Sequence, residues 1–384
     1  MFTDRSAEEA KQWVETFDHA IVQCADAWDI PRQDIQGWSV DAAVLSRRDQ
    51  FESLPFWDAS VPDFRTGYAL GNRLFVYSQP GDYYTGHLLL HEAVHALMFE
   101  FFDTAGPTWF QEGTAEWLGT HRGIGKKVKV GVVPDSRKDF AYWGRFKKIA
   151  EARAEHRVPS LVHVMKYPAN VIGDVRAYSF SWAAIRLFAD DPDHRQRLLK
   201  AIRSPAGSAD AFNRRWVRDL GPAWPELSAR WMLWVDELDY GFDPSRHHCK
   251  LSRQTPRWNG DTVTFEVDAG KGWQAAPVRV DAGMVVHVDA SGQCTIDHEP
   301  GPWRSEPDGV SLRYVNDFPV GRLLAALVPT RPNSDPTLPP LRIEPIGRDG
   351  QFKVHQSSWL VFKINDQTGE LADNTGSYRV QLSK

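Results

Sequence analysis

The sequence of 384 residues has few cysteines and no long apolar run. Its cysteines, Cys24, Cys249 and Cys294, lie far apart and form no CxxC pair, which excludes a disulfide framework and a thiolate metal site. No window of about 18 residues is apolar throughout, so we expect no membrane-spanning segment. The formal net charge of −5 is small for this length and gives no reason to expect nucleic-acid binding.

A recognisable signal peptide is also missing. The first residues, MFTDRSAEEAKQW, are polar and acidic, whereas a signal peptide has a basic start and an apolar centre. A secreted or periplasmic location is therefore expected only if a leader was removed ahead of residue 1. The compartment and the oligomeric state stay open.

The residues that are present suggest about two domains of different character. Apolar residues recur at helical spacing over Ser6–Trp28, and the region from His87 to Leu238 is mainly helical. The stretches WSVDAAVL and NRLFVYS predict strands, and the basic stretch THRGIGKKVKVGVVPDSR between the helices predicts a loop or hairpin. These patterns predict an α+β domain over residues 1–245.

The rest of the sequence predicts an all-β domain. The polar stretch DPSRHHCKLSRQTPR contains two prolines and predicts a linker over residues 246–256. Over residues 257–384, strand-like segments such as TVTFEV, WLVFKI and SYRVQL alternate with turn residues. This pattern is typical of a β-sandwich.

The pentad His91-Glu92-Ala93-Val94-His95 is the first candidate site. On an α-helix, residues four apart lie on one face, so both imidazoles can bind one ion. Glu92 then lies beside that ion as a base for a metal-activated water. Zinc is the candidate metal, because imidazole suits it and it lowers the pKa of bound water. A helix face that carries polar residues without a metal is the alternative.

A second helix is predicted shortly after the pentad, in TWFQEGTAEWLGTHR. Thr108, with Gln111 three residues later, has the pattern of a capping box, which predicts that the helix begins there. Glu112 and Glu116 are four apart and lie on one face of this helix. A compact helix–turn–helix can bring that face against His91.

HEAVH followed by WFQEGTAEW resembles the gluzincin metallopeptidases of the peptidase MA-like, DUF1570-type branch, tightly over residues 87–119 and loosely over 1–245. The resemblance implies a zincin-like domain with an N-terminal β-sheet lobe, the HExxH helix and a mainly helical second lobe. It also implies that Glu112 is the third zinc ligand, Glu92 the general base, and Glu116 a carboxylate that orients a ligand histidine. An exposed helix carboxylate is the alternative for Glu116.

The segment RAYSFSWAAIRLF resembles a later helix of the same branch, which implies that Tyr178 donates a hydrogen bond to the oxyanion of the reaction. A buried packing role is the alternative for Tyr178. His87 and His121 are further candidate donors, with packing as their alternative. By analogy, the strand NRLFVYS is expected to pair with an extended peptide. No G-x-M-E-N segment precedes the pentad, so the resemblance does not extend to aminopeptidases.

The C-terminal segment, above all INDQTGELADNTGSY, resembles the calcium-dependent galactose-binding bacterial lectins, which are β-sandwiches. The resemblance implies a calcium ion bound by Asp366, the carbonyl of Glu370, Asp373 and Asn374. Glu306 stands where those lectins have a sugar-contacting histidine. A loop whose Asp, Asn and Gly residues only form turns is the alternative.

Together these patterns predict a zinc metallopeptidase that hydrolyses bonds in a peptide or protein substrate through a metal-activated water. The appended sandwich would bind a glycan or bring the enzyme to a glycosylated substrate. A non-catalytic carbohydrate- or protein-binding protein on a zincin-like scaffold is the alternative function. A purely structural zinc is a third possibility, although such sites usually have four protein ligands. The sequence does not distinguish endopeptidase from exopeptidase action.

Overall fold

The computed structural model describes residues 1–102, 106–171, 173–204, 207–331 and 335–384. The chain forms two compact units: Met1–Ile149 with His163–Leu220, and Ala150–Val162 with Gly221–Lys384. Most helices lie in the first unit and most strands in the second, so the predicted α+β class is confirmed. No helix in the described ranges has both the length and the apolarity needed to cross a bilayer.

The α-helices span α1 Ala7–Ala27, α2 Arg32–Ile35, α3 Arg48–Glu52, α4 Asp82–Phe102, α5 Thr108–Gly119, α6 Arg145–Ala154, α7 Leu161–Met165, α8 Val175–Ala189, α9 Pro192–Ile202, α10 Ala209–Leu220 and α11 Trp224–Glu237. Helix α1 matches the predicted helix, and Ser6 and Glu9 form a capping box at its start. Helix α5 is also present, but its predicted capping box is wrong. Pro107 is the N-cap, Thr108 is already helical, and the Gln111 side chain donates to the carbonyl of Gly106 instead.

The described residues of the first unit form six short strands: β1 Phe2–Thr3, β2 Asp41–Leu45, β3 Gly67–Leu70, β4 Arg73–Tyr77, β5 His121–Arg122 and β6 Lys129–Val130. The first four form a sheet of order β1-β2-β4-β3, in which β3 is an antiparallel edge strand and the other pairings are parallel. The segment NRLFVYS is β4, as predicted, but β2 and β3 flank it on both sides. Its expected pairing with a peptide is therefore wrong, because its backbone groups are already paired. Strands β5 and β6 form the predicted hairpin.

The strands of the second unit are β7 Val263–Asp268, β8 Gln274–Val280, β9 Val285–Ser291, β10 Cys294–Asp297, β11 Trp303–Ser305, β12 Asp308–Val315, β13 Phe318–Pro329, β14 Ile343–Pro345, β15 Asp349–Lys353, β16 Ser358–Ile364 and β17 Thr375–Ser383. One sheet has the order β11-β10-β17-β9-β15, with β7 also on β17. The other has the order β12-β13-β16-β8, with β14 on β13. Val288, Leu360 and Val380 belong to one apolar core that both sheets share, which makes this part a sandwich.

The outer face of the second sheet is also buried, because helix α11 packs on it. Ala229 and Leu233 of α11 share a second core with Leu324 of β13 and Trp359 of β16. Alternate residues of β16 therefore face two different cores, and every residue of this strand is buried. Helix α11 belongs to the same compact unit as the sandwich. The domain boundary that the sequence predicts after residue 245 stays a prediction.

Candidate metal centre

Helices α4 and α5 carry the pentad and the two following glutamates. The two helices approach closely at Gly119 of α5. A Cβ added there would lie only 3.2 Å from the backbone nitrogen of His91. Helix α8 packs on α5 in the same way, and a Cβ on Gly113 would lie 2.4 Å from the carbonyl oxygen of Ser181. Each glycine thus allows a helix approach that a larger residue would prevent.

The three predicted ligands converge. His91 Nε2 lies 3.1 Å from His95 Nε2 and 3.3 Å from Glu112 Oε2, and His95 Nε2 lies 3.6 Å from the same oxygen. His91 and Glu112 are buried, and the side chain of His95 is 12% exposed. This group of three could hold a metal ion. We call it the His91–His95–Glu112 triangle.

The electrostatics of the triangle favour a cation. Glu112 Oε2 is buried without a hydrogen-bond partner, and it faces two imidazole nitrogens. Burial alone would raise the pKa of the Glu112 carboxyl, but the imidazoles of His95 and His91 beside it lower that pKa to about 2. Burial alone would lower the pKa of His91, yet Glu112 and Glu116 hold it well above its usual range. Positive charge is therefore stabilised at this point.

Glu92 lies next to the triangle and against the sheet. Burial raises the pKa of its carboxyl, and the side chain packs on the edge strand β3, where a Cβ on Gly67 would lie 2.5 Å from Glu92 Oε1. A side chain at position 67 would thus displace the carboxylate. Glycine at this position leaves room for the Glu92 carboxylate beside the candidate metal ligands.

Glu116 lies beside the other ring nitrogen of His91. Its Oε1 lies 3.4 Å from His91 Nδ1, and its Oε2 lies 3.5 Å from Nε2 of the fully buried His87. Arg145 of α6 donates two hydrogen bonds to the same carboxylate, at 2.7 and 2.5 Å. Burial alone would raise the pKa of the Glu116 carboxyl, but Arg145 and the two histidines hold it well below its usual range. Glu116 is 1% exposed, so the alternative of an exposed helix carboxylate is wrong.

Tyr178 of α8 lies near the triangle, with its ring centroid 6.1 Å from that of His91. Its hydroxyl oxygen accepts a hydrogen bond of 2.8 Å from the Gly173 amide, and burial raises the pKa of the phenol, so the hydroxyl keeps its proton. His121 is buried, and its ring stacks on Tyr83 while Nδ1 contacts the carbonyl of Gly119. Burial lowers the pKa of His121 to about 4. His87 also belongs to a second group, with His91 and Glu116, that could hold a metal ion. The candidacy of His87 and His121 as donors stays a prediction.

The C-terminal loop brings together only part of its predicted calcium set. Asn374 donates to Asp366 at 2.9 Å, and both residues are buried. Asp373 is exposed, and its carbonyl contacts His298 Nε2 at 3.0 Å. Glu370 and Asp366 each lie 3.3 Å from the guanidinium of Arg313. Among the described residues, the groups of His, Cys, Asp and Glu that could hold a metal do not include this loop.

Two residues of these sites escaped the sequence analysis, Arg145 and Arg313. Arg145 lies 29 positions after Glu116, and Arg313 lies 53 positions before Asp366. Neither belongs to a motif with a fixed spacing to its partner. A possible signal for Arg145 is that an arginine among apolar and aromatic residues, as in AYWGRF, needs a buried partner.

No model of a known protein family matches the chain. No curated protein matches it either. Among solved structures, the chain is similar to one described as the EclA N-terminal domain, a PllA-like lectin, at 18% sequence identity and a TM-score of 0.23. The match covers 31% of this chain and 93% of that one. A TM-score this low does not establish a shared fold.

Proposed function

We propose that the first unit is a zinc-dependent peptidase of the gluzincin type, which hydrolyses bonds in a peptide or protein substrate. The observation that carries the proposal is the spacing within the His91–His95–Glu112 triangle, 3.1, 3.3 and 3.6 Å. Ligand atoms about 2.1 Å from a tetrahedral zinc lie about 3.4 Å from one another. The three atoms are therefore already spaced for one zinc ion.

The donor set also fits a catalytic zinc better than a structural one. Two imidazole nitrogens and one carboxylate oxygen form a ligand set of known catalytic sites, which leave the fourth position to water or substrate. Structural zinc is usually held by four protein ligands, mostly cysteine or histidine. Two groups are found among the described residues, His91 with His95 and Glu112, and His87 with His91 and Glu116, and each contains three residues.

Each neighbouring side chain has a role in this reaction. Zinc, when bound, would act as a Lewis acid that polarises the substrate carbonyl and lowers the pKa of water, so that water can lose a proton and attack the carbonyl. Glu92 takes the proton from the attacking water and passes it to the leaving amine, which is general acid–base catalysis by one carboxylate. Its buried position and raised pKa suit both transfers.

Tyr178 and Glu116 have supporting roles in the proposed reaction. Tyr178 accepts a hydrogen bond from the Gly173 amide, which leaves its own proton free to be donated to the developing oxyanion. Glu116 Oε1 lies 3.4 Å from His91 Nδ1 and favours the orientation of the ring that leaves Nε2 as the metal-binding nitrogen. The glycan-binding role of the sandwich stays a prediction, because no contact among the described residues supports it.

The variant Glu92→Gln tests the proposal. It removes the base but keeps the size of the side chain, so we expect hydrolysis to fall by a factor of about 10²–10⁴. Zinc content, measured by plasma mass spectrometry, should stay at one ion per chain. The matched control is Glu100→Gln, an exposed glutamate on the same helix, which should keep both properties.

Hydrolysis is measured on labelled denatured protein and on a peptide library read by mass spectrometry. If Glu92→Gln cleaves as fast as the parent protein, Glu92 is not the base and the mechanism is wrong. An anomalous difference map at the zinc edge provides the second test. Density at His91, His95 and Glu112 supports the proposal, whereas a fourth protein ligand would make the zinc structural.

A further inference from the structure

Arg313 lies among three carboxylates at one end of the sandwich. Its guanidinium nitrogens lie 3.2 Å from Asp297 of β10, 3.3 Å from Asp366 after β16 and 3.3 Å from Glu370. The guanidinium carbon also lies 5.9 Å from the ring centroid of Trp303. One cation thus connects strands β10 and β12 with the loop that follows β16.

Both carboxylate oxygens of Asp366 already accept hydrogen bonds. Asp366 Oδ1 accepts from Arg313 and from the Gln367 amide, and Asp366 Oδ2 accepts from Asn374. The Asn374 amide nitrogen points at Asp366 Oδ2 and at the carbonyl of Ala269, so its oxygen points elsewhere. That oxygen and Glu370 Oε2 are buried without a hydrogen-bond partner, but two such oxygens fall far short of the about 6–8 that calcium takes.

We infer that Arg313 is the resident cation of this loop and that the sandwich therefore binds no calcium here. A guanidinium at hydrogen-bond distance from Asp366 and Glu370 repels a second cation from the same carboxylates. It also offers directed N–H donors, which hold the loop in one conformation without a metal. The residues that resemble a calcium-dependent lectin thus do not fit the ion, and recognition of a sugar through bound calcium does not follow from them.

Calcium titration of the intact protein tests the inference, by isothermal calorimetry and by the melting temperature. We expect the parent protein to show no stoichiometric calcium binding at millimolar concentrations. Arg313→Gln and Arg313→Ala leave Asp297, Asp366 and Glu370 without a cation. Both variants should bind calcium at least tenfold more tightly than the parent and melt at a higher temperature when it is present.

The matched control is Arg342→Gln, an exposed arginine of the same unit that pairs with Glu344. It should respond to calcium as the parent does. Calcium binding by the parent protein that Asp366→Asn abolishes would overturn the inference, and so would folded Arg313 variants with no gain in calcium affinity. Because zinc binding and hydrolysis are not part of this measurement, its result is independent of the proposed peptidase activity.

Discussion

The ion pair between Arg145 and Glu116 gives the sharpest prediction for the metal centre. Both side chains are almost fully buried, and two hydrogen bonds of 2.7 and 2.5 Å join them. Arg145→Met keeps most of the buried volume but leaves the Glu116 carboxylate without its cation. Breaking a buried pair in this way costs about 3–5 kcal/mol of unfolding free energy, which urea unfolding of the zinc-free protein should show.

Zinc affinity should fall in the same variant, for a separate reason. Glu116 then loses the two hydrogen bonds from Arg145 that hold its carboxylate 3.4 Å from His91 Nδ1. Loss of such support typically lowers metal affinity about 10–100-fold. Competition with a chromogenic chelator measures this change. Lys147→Met, an exposed cation on the same helix, is the control and should change neither quantity appreciably.

The double variant Arg145→Met/Glu116→Leu separates stability from metal binding. It removes the uncompensated carboxylate, so most of the lost unfolding free energy should return, because a buried apolar pair is often as stable as an ion pair. Zinc affinity should stay low, since no carboxylate remains beside His91 Nδ1. If Arg145→Met alone binds zinc as tightly as the parent, Arg145 does not act through Glu116 and the reasoning is refuted.

Three further predictions concern packing and reactivity. Gly113→Ala should destabilise the protein by about 1–3 kcal/mol and weaken zinc binding, because the added Cβ would meet the backbone of Ser181. Thermal melting measures the loss, and Gly144→Ala, which has open space around its Cβ, is the control. Leu233→Ala should cost about 2–5 kcal/mol in urea unfolding if α11 is part of the sandwich core, whereas Leu312→Ala, at 83% exposure, should cost almost nothing. The three cysteines are buried, and burial raises the pKa of the Cys24 and Cys249 thiols to about 12 and of Cys294 to about 11. A thiol reagent at pH 8 should therefore react only after unfolding, and rapid reaction of the native protein would contradict this burial.

Local patterns in the sequence determined most of the elements. Helical spacing predicted α1 and a mainly helical region that includes α5 and most of α4. Strand-like segments bounded by turn residues predicted β4 and sandwich strands such as β7, β16 and β17. The helical periodicity put His91 and His95 on one face, as well as Glu112 and Glu116. It succeeded because these relations depend only on residues a few positions apart.

Only the tertiary structure decided which elements touch. The start of α5 depended on Pro107, which lies outside the helix and displaces the predicted cap, and the edge of the first sheet proved to be β3. Helix α11 packs on the sandwich because the outer face of its second sheet is apolar, a property visible only once the strands are paired. Arg145 reaches Glu116, and Arg313 reaches Asp366, through the packing of elements distant in sequence. Such pairings depend on how the elements pack in space. The spacing of the two residues along the chain therefore does not predict them.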